Sequence, residues 1–404
     1  MLHILWLIFI VSAFLASLYQ VLILGNLGAF SDVMDAMMAM AKLSVEIAIG
    51  LVGLLAFWLG IFQVAERSGL IALLAKVLEP FLIRVMPEIP RGHPALGSIT
   101  MNMSANVLGL DNAATPFGIK AMQDMQSLSK DETTLSNAQI LFLVLNTSSV
   151  TLFPIAVFLY RAEQGAVTPT DVFIPILFAT SASTLVGLLV TCIVQGTNLF
   201  QRVIVLYLVA IFSLLAAVIA YFATLSADVL ASESSLIANF LLFSFIIIVL
   251  LAGWRKQHKT YEFIVEGAKR ELDVAITIIP YLVAMLFAIG ALRASGVMDA
   301  VTGGVATLVA ALGMDTRFID AMPTALMKPL SGSGARALMI ETMQHHGADS
   351  FAGRLASVLQ GSTETTFYVL AVYCGAVGVR HTRNAVARCL AADGAGIFTA
   401  ILVS

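Results

Sequence analysis

The sequence predicts an all-α polytopic membrane protein built as two inverted repeats, each carrying a re-entrant helical hairpin. Three observations predict it: an apolar excess, a series of bilayer-length runs, and three local patterns that recur in the same order. Of 404 residues, 59% are hydrophobic and 12% charged, and the mean hydropathy is +0.94. A soluble surface cannot hide that much apolar material, so the excess must face lipid. The net charge of −3 and the lack of a basic tract argue against a nucleic-acid partner. Cys192, Cys374 and Cys389 lie in apolar stretches without metal-ligand spacing and read as reduced core residues.

A helix needs about 20 apolar residues to cross the hydrocarbon core. Such runs occur near 2–24, 43–64, 137–160, 172–196, 203–224, 235–253, 275–294, 352–377 and 385–404. The first lacks a basic leader and reads as a retained span. Residues 98–126 and 318–344 are apolar but interrupted, the first by Asn102, Asn106, Gly109 and Pro116, the second by Pro323, Pro329 and Ser331–Gly334. Broken backbone at membrane depth is tolerated where it is buried in protein or lines a wet cavity, so both read as re-entrant hairpins. Residues 68–86 and 297–313 read as amphipathic helices at the interface.

The repeat rests on three matches. Glu66–Leu70 corresponds to Leu292–Val297, Gly118–Met122 to Gly334–Leu338, and the run from Leu145 to the run from Leu359. Lys and Arg concentrate in 253–273 and 65–97, which places those loops, and the N-terminus, in the cytoplasm. The loop 225–234 and the C-terminus then fall outside, and the spans 43–64 and 275–294 run in opposite directions. Arg161, Arg317 and Arg354 fall on the outer side, against the rule. Inverted repeats with paired broken helices point to alternating access around a midplane site; the bland alternative is a duplicated scaffold without transport.

Glu364 sits mid-run among Ser362, Thr363, Thr365 and Thr366. A charge there costs about 2.5–3.5 kcal/mol on insertion scales, so it should face a cavity or a partner. It reads as a ligand for substrate, proton or cation; the structural alternative is an ion pair with Lys328 or Arg336. In the matching first-half run, Asn146, Thr147, Ser148, Ser149 and Thr151 offer amide and hydroxyl groups to a polar solute, although Ser and Thr also serve helix packing. Asn102 and Asn106 share a helix face. Asp111 or Asn112, near Thr115 at the hairpin tip, can cap the following helix or meet a ligand. Ser331 and Ser333 offer the same chemistry in half two, with glycines that let backbone approach a ligand. His345 and His346 beside Glu341 read as a solvated loop, because adjacent residues diverge and no third metal ligand is evident. No nucleotide-binding loop, catalytic triad or zinc signature is apparent, so an enzyme is not expected.

The stretch His93–Met122 and the run from Leu145 closely resemble the spore maturation protein A family. The stretches from Pro280, Leu326 and Gly361 resemble the spore maturation protein B family. Both belong to the nucleoside-recognition, or gate-domain, group, which includes membrane domains of nucleoside transporters and ferrous-iron transport GTPases. In spore-formers these families are linked to spore-core dehydration. The resemblance implies gate domains over 1–200 and 261–404, joined by membrane helices over 201–260. It also implies a fold like that of concentrative nucleoside transporters, with an interrupted helix in each half. By that analogy Gln360–Glu364 is similar to the Gln-Thr-Glu segment near their nucleoside site.

The expectation is a secondary transporter or permease in a bacterial inner membrane, surrounded by lipid, moving a small polar or anionic solute. A nucleoside-like solute is one candidate. The expected site comprises Asn102, Asn106, Asp111, Asn112, Thr115, Asn146, Thr147, Ser148, Ser149, Lys328, Ser331, Ser333, Arg336, Ser362, Thr363 and Glu364. No cofactor or metal is expected; coupling would use a proton or sodium. Dimerisation is an expectation from the fold group. The rival reading is a membrane scaffold that regulates envelope or peptidoglycan processes.

Overall fold

The structure is a computed structural model that describes residues 2–404 except 109, 110, 130, 149, 150, 223, 225, 226, 258 and 314. It also leaves out the side chains of residues 2–5, 55, 111–113, 219, 222, 227–231, 257, 270–278 and 281. The described chain is helical, apart from one isolated parallel bridge between Thr134 and His381.

Two helices open the chain, α1 (Leu2–Leu22) and the 40-residue α2 (Ala29–Ser68), followed by α3 (Leu70–Val85). Next come α4 (Pro94–Val107), α5 (Asp111–Gln126), α6 (Asn137–Ser148), α7 (Ile155–Glu163) and α8 (Phe173–Gln195). α9 (Arg202–Phe222) and α10 (Ala227–Gln257) lead to α11 (Thr260–Ala294) and α12 (Val297–Ala311). The chain ends with α13 (Met322–Met327), α14 (Gly332–His346), α15 (Phe351–Gly361), α16 (Thr366–Val377) and α17 (Ala385–Val403).

Among the described residues, four stretches are long and apolar enough to cross a membrane: Ala29–Leu54, Phe173–Gln195, Ser232–Lys256 and Ala385–Val403. A fifth candidate pairs Leu282–Ala294 with Val297–Ala311 across a 68° bend. The outer helices turn large apolar groups outward, as Leu214 on α9 and Phe240 and Phe243 on α10 do at 64%, 68% and 67% exposure. No soluble surface sustains such faces, and the chain is a multi-pass membrane protein.

The long helices α2 and α11 form the most extensive contact. They touch through glycines. A Cβ on Gly267 would lie 2.6 Å from the Leu59 carbonyl, and one on Gly60 would lie 2.8 Å from the Ile264 carbonyl. Small residues let helix backbones approach this closely in membranes. Near the other end Gly290 meets Met40 and the Ala36 carbonyl, so the two helices run antiparallel. Each ends on a left-handed glycine, Gly69 after α2 (φ 83°) and Gly296 after α11 (φ 75°), before a shorter helix starts. The order long helix, left-handed glycine, shorter helix, hairpin, two half-length helices and apolar helix occurs over α2–α8 and again over α11–α17.

Residues 98–126 and 318–344 each hold a pair of helices. α4 and α5 fold back on one another, with Ser98 Oγ donating to Asp124 Oδ2 at 2.8 Å and Asn102 Nδ2 to the Ala114 carbonyl at 2.8 Å. α13 packs on α14, where Gly334 admits the Met327 side chain. Within 68–86 and 297–313 lie the separate helices α3 and α12.

The run 43–64 lies inside the uninterrupted helix α2. Two expectations need correction. The runs 137–160 and 352–377 are not continuous spans; each is two helices, α6 with α7 and α15 with α16. His345 and His346 are the last residues of α14 rather than a loop.

Contacts collect at two ends. One joins Glu88 to Ala138, Gln195 and Arg383 to Asn137, and Arg67 to Glu266. The other joins Gln20 to Ser295, and Arg161 to Asp171 and Asp349. Between them α6 is buried on every side from Ala138 to Ser148.

Candidate functional site

A helix end leaves backbone N–H and C=O groups without intrahelical partners. α6, α7, α15 and α16 all end or begin inside the bundle, so those groups must find partners there. They find one another. The Glu364 N–H donates to the Thr147 carbonyl at 2.7 Å, which joins the second-half break to the end of α6. The Leu152 N–H donates to the Val107 carbonyl at 2.9 Å, and the Phe367 N–H to the Pro329 carbonyl at 3.0 Å. Each break is thus tied to the hairpin of its own half, and the two breaks are tied together.

On the first-half side the asparagines form a chain. Asn106 Nδ2 donates to Asn146 Oδ1 at 2.9 Å, and Asn146 Nδ2 donates to the Phe142 carbonyl at 2.9 Å. Tyr373, from α16 of the other half, reaches in: its hydroxyl donates to Asn146 Oδ1 and accepts from Asn102 Nδ2, both at 3.4 Å. Its ring stacks on Phe142 at 5.8 Å. Asn102 is fully buried, and its Oδ1 makes no hydrogen bond among the described residues. Thr147 and Ser148 are also buried, but their hydroxyls donate back to the Val144 and Leu145 carbonyls at 3.1 and 3.4 Å.

On the second-half side Ser331 caps α14 by accepting from the Gly334 N–H at 3.0 Å, and its hydroxyl lies 3.3 Å from that of Ser333. A Cβ on Gly332 would lie 2.6 Å from Thr365 Oγ1, so the hairpin tip rests on the break. Lys328 is buried just before Pro329. Ser362 donates to the Leu359 carbonyl at 2.8 Å, whereas the buried Thr363 hydroxyl makes no hydrogen bond among the described residues. Glu364 is half-buried, and its Oε2 accepts from the Thr365 N–H at 3.3 Å.

The remaining expected residues stand apart. The Arg336 guanidinium lies over the Tyr160 ring at 5.2 Å, against α7. Thr115 is half-buried on α5. Asp111 and Asn112 occupy the first turn of α5, which begins at Asp111 itself; their side chains, and Ser149 altogether, lie outside the described residues. Glu341 is held by Arg293 at 2.6 and 2.9 Å, facing neither histidine. Among the described residues no group of three or more His, Cys, Asp or Glu is placed to hold a metal.

Sequence reasoning missed Tyr373 and Asp393. Asp393 is 2% exposed within α17; its Oδ2 accepts from Thr366 Oγ1 at 2.7 Å, while Oδ1 makes no hydrogen bond among the described residues. One turn on, a Cβ at Gly396 would lie 2.9 Å from Thr363 Cγ2 and 3.2 Å from Ser183 Cβ. Asp393 therefore borders the second break. A signal was present: Ala385, Cys389, Ala392, Gly396 and Ala400 make a helical stripe of small residues, and Asp393 falls in its phase.

The chain is 42% identical to spore maturation protein A of Bacillus subtilis (strain 168) over 156 residues, covering 39% of this chain and 80% of that protein. It is 43% identical to spore maturation protein B of the same organism over 155 residues, covering 38% of this chain and 85% of that protein. Matches to two separate proteins in one chain are consistent with a fusion of the two. No solved structure matches. The family described as nucleoside recognition, Gate, matches residues 48–166 and 275–380, over half of the sequence, and the chain belongs to that family.

Proposed function

We propose that this protein is a secondary transporter or permease of a small polar or anionic solute in a bacterial inner membrane. Its two halves would be inverted repeats of the concentrative-nucleoside-transporter type, with the hairpins as re-entrant gates. One observation carries the reading: two interrupted helices from different halves meet inside the bundle, where Glu364 N–H bonds the Thr147 carbonyl at 2.7 Å. Interruptions are costly at membrane depth and are kept where they build a site. Around that junction lie Asn102, Asn106, Asn146, Glu364 and Asp393, with polar atoms suited to a hydrogen-bonding solute. The antiparallel α2 and α11, each opening the same order of elements, support inversion of the halves. A nucleoside-like solute fits the family's description, and proton or sodium coupling would run through Glu364 or Asp393.

The test is a thermal-shift screen of the purified protein against nucleosides, organic acids and phosphate esters, followed by uptake into vesicles. At least one class raises the melting temperature, and Glu364→Gln abolishes both that shift and transport while the unliganded protein stays folded. If no solute binds, and a partner-binding phenotype survives both Glu364→Ala and Asn106→Ala, the scaffold reading replaces this one.

A further inference from the structure

Asp393 lies in the middle of α17, a helix apolar enough to cross the membrane. One of its carboxylate oxygens accepts from Thr366 Oγ1; the other, Oδ1, is enclosed and makes no hydrogen bond among the described residues. A carboxylate oxygen left bare inside a membrane protein is costly. Lys328, itself buried, lies close enough to attract the group. Attraction from a distance does not replace a donor or an ion on Oδ1. Two further buried oxygens on this side of α17 are bare: Thr363 Oγ1 and Ser183 Oγ make no hydrogen bond among the described residues. Both side chains crowd Gly396, one turn from Asp393, where a Cβ would lie 2.9 Å from Thr363 Cγ2 and 3.2 Å from Ser183 Cβ. Thr363 thus meets α17 at Gly396 and Thr366 meets it at Asp393, so the second break runs along this face of the helix.

The same break begins where α15 ends, at Gly361 inside the bundle. The last carbonyls of a helix lack intrahelical partners and carry its negative end. A carboxylate, two hydroxyls and a helix C-terminus together offer oxygen ligands and negative charge, which is what a hard cation takes. A proton would satisfy Oδ1 alone and leave both hydroxyls bare, whereas a metal cation uses several oxygens at once. A divalent ion would outweigh one carboxylate that already has Lys328 near it, so the fit is to a single positive charge. We propose that the chain binds one sodium ion at the second break, on Asp393 Oδ1, Thr363 Oγ1 and Ser183 Oγ. Its use as a coupling ion rests on the transport reading; its binding does not.

The full chain, purified in detergent and choline chloride without any solute, is titrated with sodium chloride or potassium chloride at constant ionic strength. Binding of radioactive sodium and thermal unfolding are followed. Sodium binds saturably and raises the melting temperature; potassium at the same concentrations does neither. Asp393→Asn loses the saturable binding. Thr363→Val, which keeps the side-chain shape and removes the hydroxyl, weakens it about tenfold, the scale of one contact to a charged group. Sodium bound equally well by the parent and Asp393→Asn overturns the proposal. So does acidification that reproduces the thermal shift while sodium adds nothing at any pH, since the ligand is then a proton. Should Asp393→Asn fail to fold, Thr363→Val decides, and undiminished affinity in that variant overturns the site. Sodium bound by a chain that takes up no solute upholds the site and removes the transport reading; solute carried by a chain that binds no sodium does the reverse.

Discussion

Arg161 is fully buried and still fully engaged. It donates to the Pro169 and Ala348 carbonyls at 3.1 and 2.8 Å, to Asp171 at 3.0 Å and to Asp349 at 3.2 Å. Through Ala348 and Asp349 it ties the end of α7 to the turn before α15, one half to the other. Arg354 adds a second cation to Asp171 at 3.3 Å. Burial holds the Asp171 carboxyl above the usual carboxylate range, opposed by Arg161 and then Arg354. An acid with a raised value in the fold favours its proton, so the stability gained by protonating it is present at low pH and lost as pH rises through the folded value. Arg161→Gln leaves a buried carboxylate short of its main partner and costs about 3–5 kcal/mol at neutral pH. The deficit narrows on acidification, because a protonated Asp171 no longer needs a cation. Thermal unfolding of parent and variant across pH checks this; a deficit that stays constant with pH would remove Asp171 from the account.

The hairpins hold their positions by close approach. A Cβ on Gly118 of α5 would collide with the Tyr373 hydroxyl and lie 2.9 Å from Asn102 Nδ2. Gly118→Ala therefore pushes Tyr373 off Asn146 and costs about 1–3 kcal/mol as overpacking. Gly97→Ala on the other arm of the hairpin meets nothing within 4 Å and is neutral or stabilising by up to about 1 kcal/mol, since alanine favours the helix. Equal effects of the two on melting temperature would show that the contact with Tyr373 carries no weight. The hairpins were legible because Asn102, Asn106, Pro116, Pro323 and Pro329 cannot belong to plain lipid-facing spans. The interruptions in 137–160 and 352–377 were not legible from the residues, which read as continuous runs; only the family resemblance implied them. Ser and Thr do not break a helix by propensity. What fixes these breaks is tertiary, namely the bonds from Glu364 to Thr147 and from Phe367 to Pro329. Tyr373 was illegible for the same reason, since only the docking of α16 on α5 and α6 brings it to the asparagines. Asp393 was legible in principle and was passed over beside the denser Ser and Thr cluster.

Across the whole molecule, the arginines that run against the positive-inside rule are neutralised in place. Arg161 pairs with Asp171 and Asp349, Arg354 with Asp171, and Arg317 with Asp315 at 2.7 Å. Arg293, which shares their end of the bundle, pairs with Glu341 and Asp299. At the opposite end Lys256 lies beside Gly69, near Arg67, and Arg380 and Arg383 flank His381. The rule counts positive charge that insertion must hold back on the cytoplasmic side, and a cation already matched by an acid contributes less to that count. We propose on this ground that the end with Lys256 and Arg383 faces the cytoplasm, with Asn26 and Ser404 outside. Single cysteines test the assignment in a background from which Cys192, Cys374 and Cys389 have been removed. A cysteine replacing Lys259 or His381 reacts with an impermeant maleimide only in inside-out vesicles, and one replacing Asn26 or Ser404 only in intact cells. Reaction of Lys259→Cys and Asn26→Cys from the same face would contradict the opposed directions of α2 and α11 in the membrane. The two breaks would then not face one another across a midplane, and the transport reading would lose its geometry.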